Sequence, residues 1–594
     1  MPKFLWLLLC LLPVSRAADW QPWGPFGGSV ISIAVDPSEP SHLLAGARNG
    51  QLFHSSDHGS SWSQLSFGRN LSGTVRVIAI DPSVKGHYWV GISAEQEASN
   101  GLWESRDAGQ SWMQHLSGLA VESLALFSGT IAAGTRHGLY RTIDGEHWDR
   151  ITPEHHSDLE DIVSVAFDPT DAKTLYAGTP HLPWKTTDGG KTWMAIHTGM
   201  IDDSDVFSIH VSASAPTQVF ASACSGIYRS RNAGGRWALL QGIPKSSRRT
   251  HVIVQHPANP QMVFAGTTSG LFRSTDGGTR WTKLNSLAVN AIAFDPAKPN
   301  TMYLATELAG VQISTDSGVK VQPSNEGLHA RNIRASASFG SLQFLSTAYE
   351  GSQGGLYIHS AAGWRKLGAA TFSSDNIQSV AVSDGRLLVS TDQRILQSKD
   401  FGRTWTRLPT QPPGRGLKVA IGWAGSDRGL FRLTGATWKK AVTTTAPVRG
   451  IRTAGKQVIA WTNQSAHVSP DDGKSWRNIP ATGLFSAAAS CDGSVLLAMS
   501  DGVSVALPGA APIVTQGIPP GTVSAVAFDG FRCEQAYAVQ FGKLYQSTDR
   551  GLHWSAVDGP RTLSDISDLW VSSSGDDSLF AVVPGAGVFR LSAR

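Results

Sequence analysis

Eight segments of this chain share one spacing, [Ser/Thr]-x-[Asp/Asn]-x-Gly-x-x-Trp. They occupy residues 55–62, 105–112, 186–193, 230–237, 274–281, 398–405, 469–476 and 547–554. At average residue usage about one chain in a hundred of this length would hold a single copy, so eight copies mean an internal repeat. Around each box the pattern extends further. Residues 162–193 read IVSVAFDPTDAKTLYAGTPHLPWKTTDGGKTW, residues 252–281 VIVQHPANPQMVFAGTTSGLFRSTDGGTRW, and residues 31–62 ISIAVDPSEPSHLLAGARNGQLFHSSDHGSSW. Each unit is a short apolar run, a turn carrying Asp-Pro or His-Pro, a run ending in Ala-Gly, a loop, a third run, the box and a fourth run. Short alternating runs punctuated by Gly, Pro and Asp are β-strands, and four strands per forty or so residues make one propeller blade.

The box has a mechanical reason for its spacing. The carboxylates of Asp57, Asp107, Asp188, Asp276, Asp400, Asp471 and Asp549, and the amide oxygen of Asn232, can accept backbone N–H groups within a tight turn. The hydroxyl at the first position adds a second local bond. The glycine supplies positive φ, and the Trp covers the hairpin with its apolar face. One carboxylate per turn offers too few oxygens for calcium, so these residues read as structural. Shortened or decayed copies carry Asp144 and Asp316, and weaker echoes occur near residues 360, 434, 507 and 592. The count reaches fourteen. That is too many blades for one ring and natural for two rings of seven, with eight plus six as the other division.

Length supports the division, since 594 residues exceed a single core. The expected boundaries are a signal peptide at 1–17, a first propeller at 18–321 and a second at 322–594. Two segments read as outer strands, one at Trp20 to Trp23 and one at residues 321–326, each expected to close its own ring. Lys3, the apolar run 4–14 and Ala17 have the layout of an export signal, which gives a periplasmic or extracellular product. No later apolar run is long enough to span a bilayer. Fifty Lys and Arg stand against 46 Asp and Glu, which gives no electrostatic case for nucleic acid. No Cys-x-x-Cys pair exists, so neither a thiolate metal site nor any cofactor is expected. Cys491 and Cys533 lie one repeat apart and are a candidate disulfide between neighbouring blades.

Repeats of this form resemble the BNR/Asp-box β-propeller superfamily, whose members include sialidases, sortilin-type ectodomains, photosystem II assembly factors and two-propeller xyloglucanases. The two-ring layout looks most like the xyloglucanases. That resemblance implies inverting glycoside hydrolysis by two aspartates, one from each ring, in a cleft between them. The matching loop of the first ring is Arg48-Asn49-Gly50-Gln51, and that of the second is Tyr349-Glu350-Gly351-Ser352. Asn49 stands where an aspartate is implied, and only Glu350 retains a titratable carboxyl.

Function is therefore expected on the loop face, where second strands turn into third strands and blades join. The candidate ligand residues are Arg48, Asn49, Arg136, His137, Trp184, Asp203, Asp205, Arg249, His251, Glu307, Tyr349 and Glu350. Trp184 is open to two readings, a stacking platform for a sugar or peptide and a residue of interblade packing. The expected function is an exported binding or scaffold protein that recognises a protein or glycan. The alternatives are a xyloglucanase-like hydrolase, with Glu350 in its catalytic pair, and an assembly factor for a membrane complex.

Overall fold

The second strands of the repeats are largely apolar, and those at Leu43–Ala47, Val219–Ala223 and Met302–Thr306 are buried at every position. A strand covered on both faces by neighbouring blades requires this composition. At Gly46 any Cβ would run into Val75 and Ser32, so the blades approach closely there. The computed structural model describes residues 19–592 apart from 70, 203, 245–246, 248–249, 349–354, 373–374, 559–562 and 564. The signal expected at 1–17 lies outside the described residues, as do Asp203, Arg249, Tyr349 and Glu350.

The chain folds as two tandem seven-bladed β-propellers of four-stranded antiparallel blades. Blades 1–7 span residues 30–65, 74–115, 121–150, 164–195, 206–239, 250–285 and 289–323. Blades 8–13 span 333–367, 377–407, 418–442, 450–480, 486–514 and 523–556. Blade 14 has three strands of its own within 568–591, and its fourth is the N-terminal strand Gln21–Pro22, paired with Arg590 and Phe589.

This closure differs from the expected one. The strand Gln322–Pro323 completes blade 7 by pairing with Ile313 and Gln312, and the boundary expected at 321 falls one residue before it. The N-terminal strand closes the second ring, not the first. Burial explains the exchange. Trp20 is 1% exposed in a cluster with Leu569, Leu579 and Phe589, while Trp23 packs against His359, Trp364 and Phe580. The chain then returns to blade 1 through Gly27–Gly28, which pairs in parallel with His329–Ala330 of the inter-ring connection. A Cβ at Gly28 would overlap the Ala330 carbonyl, so this clasp requires glycine.

The box turns have the expected local chemistry with one addition. Ser105 Oγ donates to Asp107 Oδ1 (2.9 Å) and accepts from Gly109 N (2.7 Å), while Ser111 N donates to the same carboxylate (2.8 Å). The addition is the hydroxyl just before the Trp. Ser61, Ser111, Thr192, Thr404 and Ser475 each donate to the second carboxylate oxygen at 2.5–2.7 Å. In the Asn copy, Asn232 Oδ1 accepts from Ser230 Oγ and Arg236 N. Asp144, Asp276, Asp316 and Asp549 each accept from the first-position hydroxyl in the same way.

The Trp does more than cover its own hairpin. Trp62 Nε1 donates to Ser324 O of blade 7 (2.8 Å) and Trp193 Nε1 to Ile151 O beside blade 3 (2.8 Å), so both fasten their blade to the one before it. In the second ring Cys491 and Cys533 form a disulfide between blades 12 and 13, with Cα atoms 5.3 Å apart.

Two outcomes follow from this architecture. Trp20→Ala removes the largest side chain at the seam of the second ring and is expected to cost about 3–5 kcal/mol in chemical denaturation. An unchanged midpoint would mean that Trp20 does not hold the seam. The second outcome concerns acid. Hydrogen bonds from the hydroxyl and N–H of Ser111, Thr404 and Ser475 hold Asp107, Asp400 and Asp471 down to about 2, from 3.8. A carboxyl depressed on folding stabilises the fold above its unfolded pKa, and that contribution is lost as pH falls through the folded value. The thermal midpoint should therefore drop as pH is lowered from 3.8 to about 2, and less steeply when these three are changed to Asn.

Candidate functional site

The loop faces of the two rings meet across a cleft of about 1030 Å³. One wall is the blade 1 hairpin at Arg48–Gln51, the segment 64–72 leading into blade 2, and Gln96. The other carries Ala348, Asp565 and Pro584–Ala586 of the second ring. The first wall owes its shape to aromatic packing. Phe67 sits edge-on to Trp103 (centroids 5.4 Å apart) and tilted against Trp112 (4.7 Å). Arg69 lies over the Trp103 ring at 4.7 Å while Nη2 donates to Gln114 Oε1 (2.8 Å) and Ala98 O (3.2 Å). The result is a rigid polar ledge on a buried aromatic base.

Among the described residues lining the cleft, Asp565 is the only carboxylate, and it is exposed. Asn49 occupies the left-handed region (φ 56°) at the tip of its hairpin, and its Nδ2 donates to Pro584 O across the cleft at 3.0 Å. A carbonyl only accepts, so the amide must present its NH₂ there. An ionised aspartate at this position would set two acceptors against each other.

The other expected residues divide into four groups. Arg48 and Glu307 are joined to each other (2.7 Å), and Asn290 Nδ2 holds the second Glu307 oxygen (3.0 Å) while also reaching Val30 O (2.8 Å). This network fastens blade 7 to blade 1. Arg136 turns to Glu122 (3.0 Å), and His137 is exposed beside it. Trp184 does not stand free on the loop face. It is half-buried against the cluster of Leu139, Ile151, Leu159 and Ile162, meets His156 edge-on at 5.2 Å, and directs Nε1 to His181 O. Of its two readings the structure has the packing one. Asp205 is half-buried and accepts Cys224 N through its backbone, and His251 is exposed at the start of an innermost strand.

Other residues at the cleft and on the loop face carry little or no marker in the sequence. Phe67 and Arg69, from the segment between blades 1 and 2, and Gln96, from the loop between the second and third strands of blade 2, line the cleft where no box marks a position. Arg76 and Glu122 lie at the start of innermost strands Thr74–Ile80 and Val121–Phe127, and a charge inside an apolar run was the available signal. On the opposite face Glu104 is almost fully enclosed, and it accepts His87 Nε2 (2.7 Å), His115 Nε2 (3.0 Å) and Arg106 Nε (2.6 Å). Burial opposes ionisation of Glu104, but these three donors together hold its carboxyl below the usual range. All of its acceptor capacity is turned inward. Among the described residues no group of three His, Cys, Asp or Glu side chains is arranged to hold a metal ion. No helix among them is long and apolar enough to cross a membrane.

No protein-family model and no curated protein matches the chain. Solved structures do. A GH74 enzyme from Niastella koreensis superimposes with a TM-score of 0.76 at 17% identity, covering 96% of this chain and 99% of that one. The GH74 xyloglucanase from Xanthomonas campestris gives 0.76 at 18%, covering 97% and 100%. PorZ of Porphyromonas gingivalis, an essential bacterial surface component of the type-IX secretion system, gives 0.63 at 14%, covering 96% and 87%. At these identities the likeness is one of fold.

The strut between rings has a direct test. Asn49→Asp should lower stability by about 1 kcal/mol at neutral pH, the worth of one hydrogen bond, and recover part of it in acid as the carboxyl regains a proton to donate. Unchanged stability across that range would leave the Pro584 contact without energetic weight.

Proposed function

We propose that this is an exported glycan-binding protein that seats a polysaccharide chain in the inter-ring cleft without hydrolysing it. The observation that carries this reading is Asn49, whose amide donates to Pro584 O at the position where the xyloglucanase resemblance implies a catalytic aspartate. Inverting hydrolysis needs a general acid and a general base on opposite sides of the bond. An amide held as a donor to a carbonyl serves as neither. A cleft of this volume with a polar ledge over aromatic side chains suits an extended polyhydroxylated ligand. The signal-like segment at 1–17 and the disulfide Cys491–Cys533 agree with an oxidising compartment outside the cytoplasm.

A second reading is hydrolysis itself. It is favoured by the overlap with GH74 enzymes over nearly the whole chain, and its acid would be Glu350. One experiment separates the two. The purified protein is titrated with xyloglucan and a panel of other β-glucans while reducing-end release is followed. The binding reading expects saturable affinity for at least one polymer, weakened about tenfold by Arg69→Ala, with no release at high protein concentration. Sustained release that Glu350→Gln abolishes would overturn it in favour of the hydrolase.

A further inference from the structure

On the loop face of the first ring two arginines from adjacent blades converge on one carboxylate. Arg76 of blade 2 and Arg136 of blade 3 approach the two oxygens of Glu122 through their Nε atoms, at 3.1 and 3.0 Å. Ser93 Oγ donates to the same carboxylate at 2.7 Å. The Glu122 side chain is 10% exposed, whereas those of Arg76 and Arg136 are 42% and 51% exposed. No terminal guanidinium nitrogen of either arginine donates a hydrogen bond to a described residue. The anchored part of each side chain is therefore inside and the free fork is outside.

We propose that this pair is a carboxylate-binding subsite and that the glycan taken by the protein carries uronate groups. The inference rests on the glycan reading above and gives the ligand a charge. A guanidinium held by Nε keeps its two terminal nitrogens in the plane that matches a carboxylate bidentately. Glu122 fixes both forks beforehand, so little side-chain freedom is left to lose when a ligand arrives. What the pair offers a ligand is its unengaged terminal nitrogens, since Asp161 beside the group sets a second carboxyl against the two guanidiniums. Burial and the proximity of Glu122 push the Asp161 carboxyl up, against the pull of Arg136 and His137. Its Oδ1 is buried and has no hydrogen-bond partner among the described residues. Ser93 precedes Gln96 of the cleft wall by three residues, so a polymer leaving the cleft along blade 2 meets this pair.

The test is calorimetric titration of the whole protein with trigalacturonate and with its methyl ester, which has the same backbone without the charge. The acid should bind at least about tenfold more tightly than the ester, and raised salt should narrow the gap. Arg136→Gln and Arg76→Gln should each remove most of that preference, Arg136→Lys should keep part of it, and thermal melts should establish that the variants fold. Equal binding of acid and ester, or undiminished preference in both Gln variants, would overturn the subsite. If neutral β-glucans bind while trigalacturonate does not, the subsite falls and the glycan reading stands. If no glycan of either kind binds, both fall.

Discussion

The strand Gln21–Pro22 lies against Phe589–Arg590, at the far end of the chain, and this pairing determines how the two rings sit. A propeller has one seam, and an unsealed seam exposes a strand edge and the apolar flank of two blades. Here the first seven blades are each continuous in sequence, and their seam is held by side chains. Trp62 N and Nε1 reach Glu326 O and Ser324 O, and Arg48 meets Glu307. The last blade of the second ring is one strand short and takes that strand from the N-terminus. The N-terminal segment must then cross back to start blade 1, and it does so beside His329–Ala330 of the inter-ring connection, running parallel to it. Two crossings side by side, with Trp23 wedged among Trp364, His359 and Phe580, bring the loop faces together and create the cleft.

The box turns solve a separate problem. A blade's outer hairpin is thin and solvated, and little apolar area is available to hold it. The box replaces area with local hydrogen bonds to one carboxylate and with a single large side chain. Where the residue before the Trp is Ser or Thr, the carboxylate is enclosed by hydroxyls. His147 and His553 provide the same donor in other copies, at 2.7 and 2.6 Å. These acidic residues are spent on the fold, on the face away from the cleft, and offer no chemistry to a ligand.

This division explains what was legible beforehand. The blades were readable because every determinant of a box lies within eight residues and recurs. Fourteen repeats followed from counting, even where the Trp had decayed to Val321. The closing strands were not readable in the same way, since Gln21–Pro22 and Gln322–Pro323 are two residues long and have no periodicity. The partner of Gln21–Pro22 is set by Trp20, whose burial against Leu569, Leu579 and Phe589 belongs to a blade more than five hundred residues away. The loop face was legible as a region but not residue by residue. Trp184 belongs to packing, because the hairpin at Thr179–Leu182 folds its loop back over the indole. Arg136 was visible in its loop, whereas Arg76 and Glu122, which give it a role, lie inside innermost strands.

Asn49 connects the architecture to the chemistry. In a cleft between two rings, any residue at the tip of the blade 1 hairpin faces the second ring at close range. A carboxylate there requires the opposing loop to present donors or water. In this chain the opposing loop presents the Pro584 carbonyl, and proline has no N–H to offer in its place. The two sides are therefore matched to each other as donor and acceptor. Changing residue 49 alone to an ionised aspartate would replace an attraction with a repulsion. The same fold can thus keep its cleft and its ring closure while the contact across the cleft becomes structural, because the forces that build the propellers act elsewhere than at the site.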